Sequence, residues 1–319
     1  MSGYAAVDGP DPAREPALAA LLTALQERHR GAIRATLAYG SCLRGGDIYD
    51  GLLDIYLICD SYRAAYGTGL LAAANRLLPP NVFYAEQSGP AADGGERTLR
   101  AKVSVISLHD FRRGCSRAWF QSYIWGRFAQ PTAVVYARDA AAMAELDTML
   151  PEAARTLLHR AIPALPRAGT VEALWEGALG LSYATELRTE RGDRQVELVG
   201  ANRDFYAALT RHLAAGLGHG FALHEADGEL RYTSAPSPGA VRRARLAWAL
   251  RRVQGKLLSV LRLVKGLFTF EGGLDYIAWK LERHSGEKIV IPDKVRRRPL
   301  IHLWGFFWGL YRRGIFLDA

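Results

Sequence analysis

Hydrophobic positions change their period several times along the chain. From Glu15 to Arg30, Leu18, Leu21, Leu22 and Leu25 recur at three- and four-residue spacing, which predicts a helix. Ala35 to Tyr39 reads as a strand running directly into Gly40-Ser41. A Gly-rich turn follows at Arg44-Gly45-Gly46-Asp47, and a second apolar strand runs from Leu53 to Cys59. Further strands are expected at Asn81 to Ala85, Ala101 to Ile106 and Thr132 to Tyr136, with a helix from Asp110 to Phe128. From Asp139 to Gly220 the pattern is mainly helical, Phe221 to Thr233 reads as a hairpin, and Ala235-Pro-Ser-Pro-Gly239 reads as a linker. A single long helix is then expected from Ala240 to Val264. It is apolar at Leu246, Leu250, Val253, Leu257, Leu261 and Val264, with Arg242, Arg245, Arg252, Lys256 and Arg262 on its other faces. These elements divide the chain into an α/β domain over 1–138, a mainly helical domain over 139–239 and a basic amphipathic region over 240–319.

Charge sharpens that division. The net charge is +9, yet the last 80 residues hold 17 Lys and Arg against 6 Asp and Glu, a net of +11. The first 239 residues are therefore slightly acidic, and the basic region is the part that meets an anionic polymer or an anionic membrane. The three cysteines, Cys42, Cys59 and Cys115, show neither disulfide nor metal-ligand spacing and fit a reducing compartment. No apolar stretch reaches the ~18 residues that a spanning helix needs. The acids Asp8, Asp11 and Glu15 argue against a secretory signal or a mitochondrial presequence, so the expectation is a cytoplasmic protein, peripheral on the inner face of the cell membrane.

Candidate chemistry concentrates between Tyr39 and Ile58. A strand ends in Gly40-Ser41, and about a dozen residues later Asp54 opens another strand. This is the arrangement of polymerase-β-like nucleotidyltransferases. Gly40 allows close backbone approach to a triphosphate, Ser41 offers a hydroxyl and an amide, and Asp54 would hold Mg²⁺ through hard carboxylate oxygens. Such enzymes usually carry a second carboxylate two residues on, and here that position is Tyr56. Asp60 faces the same way but lies ~20 Å along the strand, too far to share a metal. Asp47, Asp50 and Glu86 remain as candidate second ligands.

Further motifs follow in order. They are Val82-Phe83-Tyr84, then Lys102 with Val105-Ile106-Ser107, then Tyr123-Ile124, Gly126-Arg127 and Pro131. Gly180-Leu181-Ser182-Tyr183 with Arg188 close behind comes next, and Lys265-Gly266-Leu267-Phe268-Thr269 is last. Together with Tyr39-Gly40-Ser41, Leu53-Asp54 and Asp60, this series resembles the mitochondrial translocator assembly and maintenance family, whose members are phosphatidate cytidylyltransferases. The match spans roughly residues 35 to 270. The chain departs from the family pattern at Gln130, where Lys is frequent, and at Ala85, where Asn is frequent.

The resemblance implies a nucleotidyltransferase domain, a helical domain of winged-helix character and a membrane-contacting C-terminal helix. It also implies Mg²⁺, CTP, phosphatidate and the product CDP-diacylglycerol. On that reading Tyr39, Gly40, Ser41 and Lys102 bind the nucleotide, Asp54 holds the metal, and Asp54, Lys102 and Arg127 form the catalytic set. Lys102 would neutralise triphosphate charge and Arg127 would bind phosphate bidentately. Tyr183, Arg188 and Lys265 are candidate contacts to the lipid phosphate. The tail from Arg296 places Trp304, Phe306, Phe307, Trp308 and Tyr311 between basic clusters, as an interfacial anchor does. Two other readings stay open. One is transfer to a polyprenyl phosphate, a sugar phosphate or an antibiotic. The other is an inactive nucleotide- or RNA-binding module, although a tail this rich in apolar aromatics suits lipid better than nucleic acid.

Overall fold

The computed structural model describes residues 7–40, 43, 47–90, 95–186, 194–226, 228–269, 289–297, 302, 305 and 308–309. Its centre is a mixed five-stranded sheet of β1 (Ile33–Tyr39), β2 (Leu53–Cys59), β3 (Asn81–Pro90), β4 (Glu96–Ser107) and β5 (Thr132–Ala137). The strand order is β3-β4-β2-β1-β5, and only the β2–β4 pair is parallel. A parallel neighbour requires a crossover, which runs here through α2 (Tyr62–Tyr66), α3 (Leu70–Leu77) and β3.

Alternation along the strands gives the sheet two apolar faces. Leu53, Ile55 and Leu57 of β2, with Val103 and Val105 of β4, point to one face. There α1 (Pro16–Arg28) covers them with Leu18, Leu21, Leu22 and Leu25. Tyr56, Ile58, Leu37 and Ile106 point to the other face, where they join one continuous core with the helical half of the chain. That core is built on α4 (Leu108–Cys115), α5 (Ala140–Ala161), α6 (Val171–Tyr183) and α8 (Arg203–Leu213), with α7 (Arg194–Gly200) beside α6. Trp125, Trp175 and Trp248 are wholly buried in it. The two longer helices are started by side-chain caps, Asp139 accepting from the Ala142 amide at 2.7 Å and Thr170 from the Ala173 amide at 3.1 Å. A small antiparallel sheet completes this half, ordered β6 (Ala168–Thr170), β8 (Glu229–Thr233), β7 (Ala222–Ala226).

Two elements differ from their sequence patterns. The helix expected from Asp110 to Phe128 ends at Cys115. Ser116 leaves helical backbone with ψ 171°, and the chain turns tightly through residues 116–131. The carbonyls that a continuing helix would have used are taken instead by Arg160, which donates to those of Arg117, Trp119 and Phe120, and by Trp125 Nε1, which donates to that of Trp119. The long helix, α9 (Pro238–Thr269), keeps its expected place, but its packed side is not its apolar stripe. Trp248 and Arg251 are the residues buried, while Leu246, Leu250, Val253, Leu257, Val260 and Leu261 are between 44% and 70% exposed.

Close backbone approach fixes α9 in place. A Cβ on Gly255 would lie 2.2 Å from the Thr185 carbonyl oxygen, so helix and loop touch main chain to main chain. Trp248 Nε1 also donates to the Arg160 carbonyl at 2.9 Å, and Arg251 Nε to the Phe120 carbonyl at 2.8 Å. Replacing Gly255 with Ala should destabilise the protein by about 1–3 kcal/mol through overpacking. Thermal unfolding would report it, and an unchanged midpoint would show that α9 is not seated as described.

Candidate functional site

Register across the sheet assembles the site. Thr132, Tyr39, Asp54, Lys102 and Tyr84 are direct partners on five successive strands, so their side chains form one row on one face. Asp54 lies at the centre, with Tyr39 and Lys102 each one strand away, ~4.8 Å in backbone spacing. Gly40 follows Tyr39 with φ +89°, a conformation that favours glycine, and a Cβ there would lie 3.4 Å from Asp54 Oδ2. Glycine here therefore brings the main chain to within van der Waals reach of the carboxylate.

The opposite wall comes from the turn at residues 122–130, the end of α6 and the end of α9. Arg127 donates from Nη1 to the Tyr123 hydroxyl at 3.1 Å and pairs with Glu186 at 3.5 Å. Its guanidinium lies over the rings of Tyr123 and Tyr39, at 4.4 and 5.4 Å from their centroids. Tyr183 donates to Gln130 Oε1 at 3.0 Å, and Gln130 in turn donates to the Gly126 carbonyl at 3.0 Å. Arg262 lies 3.9 Å over the Tyr123 ring, bonded to the Pro79 carbonyl and to Gln121.

Burial and charge compete at each of these groups. Burial raises the Asp54 carboxyl above its ordinary range, against the opposing pull of Lys102, Arg127 and Arg194. Burial works to strip the Arg127 proton, but Tyr123, Tyr39, Tyr56 and Glu186 outweigh it and hold the guanidinium firmly charged. Tyr123 is pushed up by burial yet ends below its ordinary value, because Arg127, Arg262 and Lys102 all favour its anion.

The expected site residues are thus brought together in part. Tyr39, Gly40, Asp54, Lys102 and Arg127 share one cleft, and Tyr183 stands at its edge through Gln130. Lys265 is turned to another use, donating to Asn75 Oδ1 at 3.0 Å and to the Leu78 and Pro80 carbonyls at 2.8 and 2.7 Å. Ser41 and Arg188 lie outside the described residues, as does most of the aromatic tail. Asp60 is remote, clamped by Arg138 at 2.8 and 2.9 Å. Asp47 and Asp50 pair with Arg97, and Glu86 with Arg100 and Tyr84. None of these acids stands in the Asp54 row.

Among the described residues no group of three or more His, Cys, Asp or Glu could hold a metal ion. Mg²⁺ commonly takes only one or two protein carboxylates and completes its shell with substrate phosphates and water, so a single carboxylate such as Asp54, with glycine main chain close against it, fits that mode. Glu186 and Arg262 carry no motif signal of their own and sit 59 or more residues from Arg127, whereas Tyr123 belongs to the motif that holds Arg127 but was assigned no role.

No protein-family model matches the chain, and no curated protein matches it in sequence. Among the described residues no helix is long and apolar enough to cross a membrane.

Lys265 gives a pH signature. Burial first, and Arg262 second, bring its ammonium down to about 8. An unfolded chain holds that proton to about 10.4. Between those values unfolding takes up a proton, so stability should rise with pH, while below about 8 the penalty for the buried charge is fully present. Denaturant midpoints measured from pH 7 to 10 should rise less steeply in Lys265→Met than in the native sequence. Parallel profiles would show that Lys265 titrates as an exposed lysine.

Proposed function

We propose that the protein is a nucleotidyltransferase of the polymerase-β-like kind, transferring a cytidylyl group from CTP to phosphatidate at a membrane surface. The observation that carries the reading is the row Tyr39, Asp54, Lys102 beside Gly40, whose φ of +89° brings glycine main chain against the carboxylate. A glycine that admits a phosphate chain, a carboxylate one strand away and a lysine one strand further is a set suited to a nucleoside triphosphate. The resemblance in motifs over residues 35–270 supplies the choice of CTP and phosphatidate.

In this reading a phosphate oxygen of the acceptor attacks the α-phosphorus of CTP. A new O–P bond forms, the bond from the α-phosphorus to its bridging oxygen breaks, and pyrophosphate leaves with the electron pair. The nucleophile is already an anion, so positioning and charge stabilisation do most of what catalysis requires. Lys102 and Arg127 offset the negative charge that gathers on the phosphoryl oxygens. Mg²⁺, held by Asp54 with the phosphates, would neutralise triphosphate charge and orient the leaving group. Tyr39 keeps the Asp54 carboxylate in place by a hydrogen bond. A cleft with this surplus of cationic groups disfavours a cationic antibiotic as acceptor.

The lipid part of the reading rests on α9. Its exposed Leu and Val stripe is flanked by exposed Arg242, Arg243, Arg245, Arg252 and Lys256, and its 32 residues include no acid. An apolar stripe edged with cations suits the interface of an anionic bilayer, each cation contributing about 1 kcal/mol near the surface.

Two tests follow. Pure protein with radiolabelled CTP, Mg²⁺ and phosphatidate vesicles should yield labelled lipid. Asp54→Ala should abolish the product while thermal unfolding stays normal, whereas activity within about tenfold of the native sequence, ~1.4 kcal/mol, would sink the assignment of Asp54. For the membrane surface, the double change Leu250→Glu and Leu257→Glu should abolish flotation with anionic liposomes and leave CTP binding intact. Undiminished flotation would show that α9 is not the contact.

A further inference from the structure

Arg262 reaches the cleft from α9, at a position outside every motif in the sequence. Its guanidinium and that of Arg127 lie over the same tyrosine ring, 3.9 and 4.4 Å from the centroid of Tyr123. Both are held by other atoms. Arg262 donates from Nε to the Pro79 carbonyl at 3.2 Å and from Nη2 to Gln121 Oε1 at 2.8 Å. Arg127 donates from Nη1 to the Tyr123 hydroxyl at 3.1 Å and meets Glu186 at 3.5 Å. A guanidinium has five N–H donors, so each arginine keeps donors beyond these contacts.

The charges around this ring do not balance. Arg127, Arg262 and Lys102 all act on Tyr123, and Glu186 is the carboxylate that opposes them there. Among the described residues Arg262 has no acid within ion-pair distance, and burial draws its pKa down. Two largely buried guanidiniums that share one ring, each close enough to feel the other's charge, are costly until an anion joins them. Planar forks held in place are also the geometry that grips phosphate bidentately.

We infer that Arg127 and Arg262, set over the Tyr123 ring, form a subsite for the terminal phosphate monoester of the acceptor, separate from the triphosphate position beside Gly40 and Lys102. The inference rests on the transfer reading for the word acceptor, but not for the anion. A monoester dianion offers three terminal oxygens and two charges to two guanidiniums, whereas a diester offers two oxygens and one charge. Arg262 also belongs to the helix whose outward side is the exposed Leu250, Val253, Leu257 and Leu261 stripe. A single helix thus presents a cation to a headgroup and an apolar surface to what the headgroup is attached to, which selects a lipid phosphate over a soluble sugar phosphate.

Calorimetric titration of the full chain tests this, using water-soluble dihexanoyl-phosphatidate, its methyl diester and CTP with Mg²⁺ as separate probes. Arg262→Gln should weaken dihexanoyl-phosphatidate about tenfold or more, the loss of a charge-assisted hydrogen bond, and leave CTP affinity unchanged. Arg262→Lys should restore only part of the loss, because an ammonium cannot pair bidentately. Because Arg262 also ties down the Pro79 loop, Tyr123→Leu serves as an independent variant that keeps both cations and removes their shared ring. It should show the same selective loss. Equal weakening of CTP, unchanged phosphatidate affinity in both variants, or a native protein that binds the methyl diester as tightly as the monoester would each overturn the subsite. A native protein that binds dihexanoyl-phosphatidate selectively but makes no labelled lipid would overturn the transfer reading and leave the subsite standing.

Discussion

The pairing of β1, β2 and β4 in one register is the constraint on which the cleft depends. Tyr39, Asp54 and Lys102 are 15 and 48 residues apart in sequence, yet the ladders make them neighbours in one row. A slip of one residue in β2 would send Asp54 into the face covered by α1 and bring Leu53 into the cleft. Burial guards against that slip. Leu53, Ile55 and Leu57 are wholly buried against α1, and Tyr56 and Ile58 are as deeply buried against the helical half. A strand with both faces buried tolerates one register only, and the polar residue at its start is placed by the apolar ones that follow.

The sequence patterns made the sheet legible because its inner strands are short, apolar and bounded by turn residues. β2 was read to its ends. β3 and β4 were read only in their inner halves, since Glu86 to Pro90 and Glu96 to Arg100 form a mostly polar ribbon in which the buried Leu99 stands alone and sets no alternation. The segment after Cys115 misled for the opposite reason. Its aromatic residues are dense enough to pass for a helix, yet its carbonyls at residues 117, 119 and 120 are held by Arg160, a contact made by tertiary packing. At the site, Gly40 and Asp54 were legible because both belong to one strand-turn-strand unit. The partnership of Arg127 with Glu186 and Arg262 was not, because it is made by tertiary packing of three distant segments. Lys265 stood out in its motif, but its contacts did not, for they are Asn75 of α3 and two carbonyls just before β3.

The two halves of the chain meet through a continuous apolar core rather than through a polar seam. Phe128 packs against Tyr56 of the sheet and Phe111 of α4, and Trp125 packs edge-on to Trp248 of α9. α5 touches both β1 and α6. The cations that reach this core lie over its aromatic rings, Arg251 over Trp248 and Phe120, Arg262 over Tyr123, and Arg127 over Tyr123 while also pairing with Glu186.

That continuity decides how the cleft can behave mechanically. A hinge between the sheet and the helices would have to part Phe128 from Tyr56 and Trp125 from Trp248, exposing several of the largest side chains in the protein to water. Aromatic burial of that extent costs several kcal/mol per ring to undo. The side chains around Asp54 are therefore held at separations fixed by this packing rather than by a movable hinge. Any ligand of this site would have to fit that preset spacing, and a bulky one would gain nothing by pushing the walls apart.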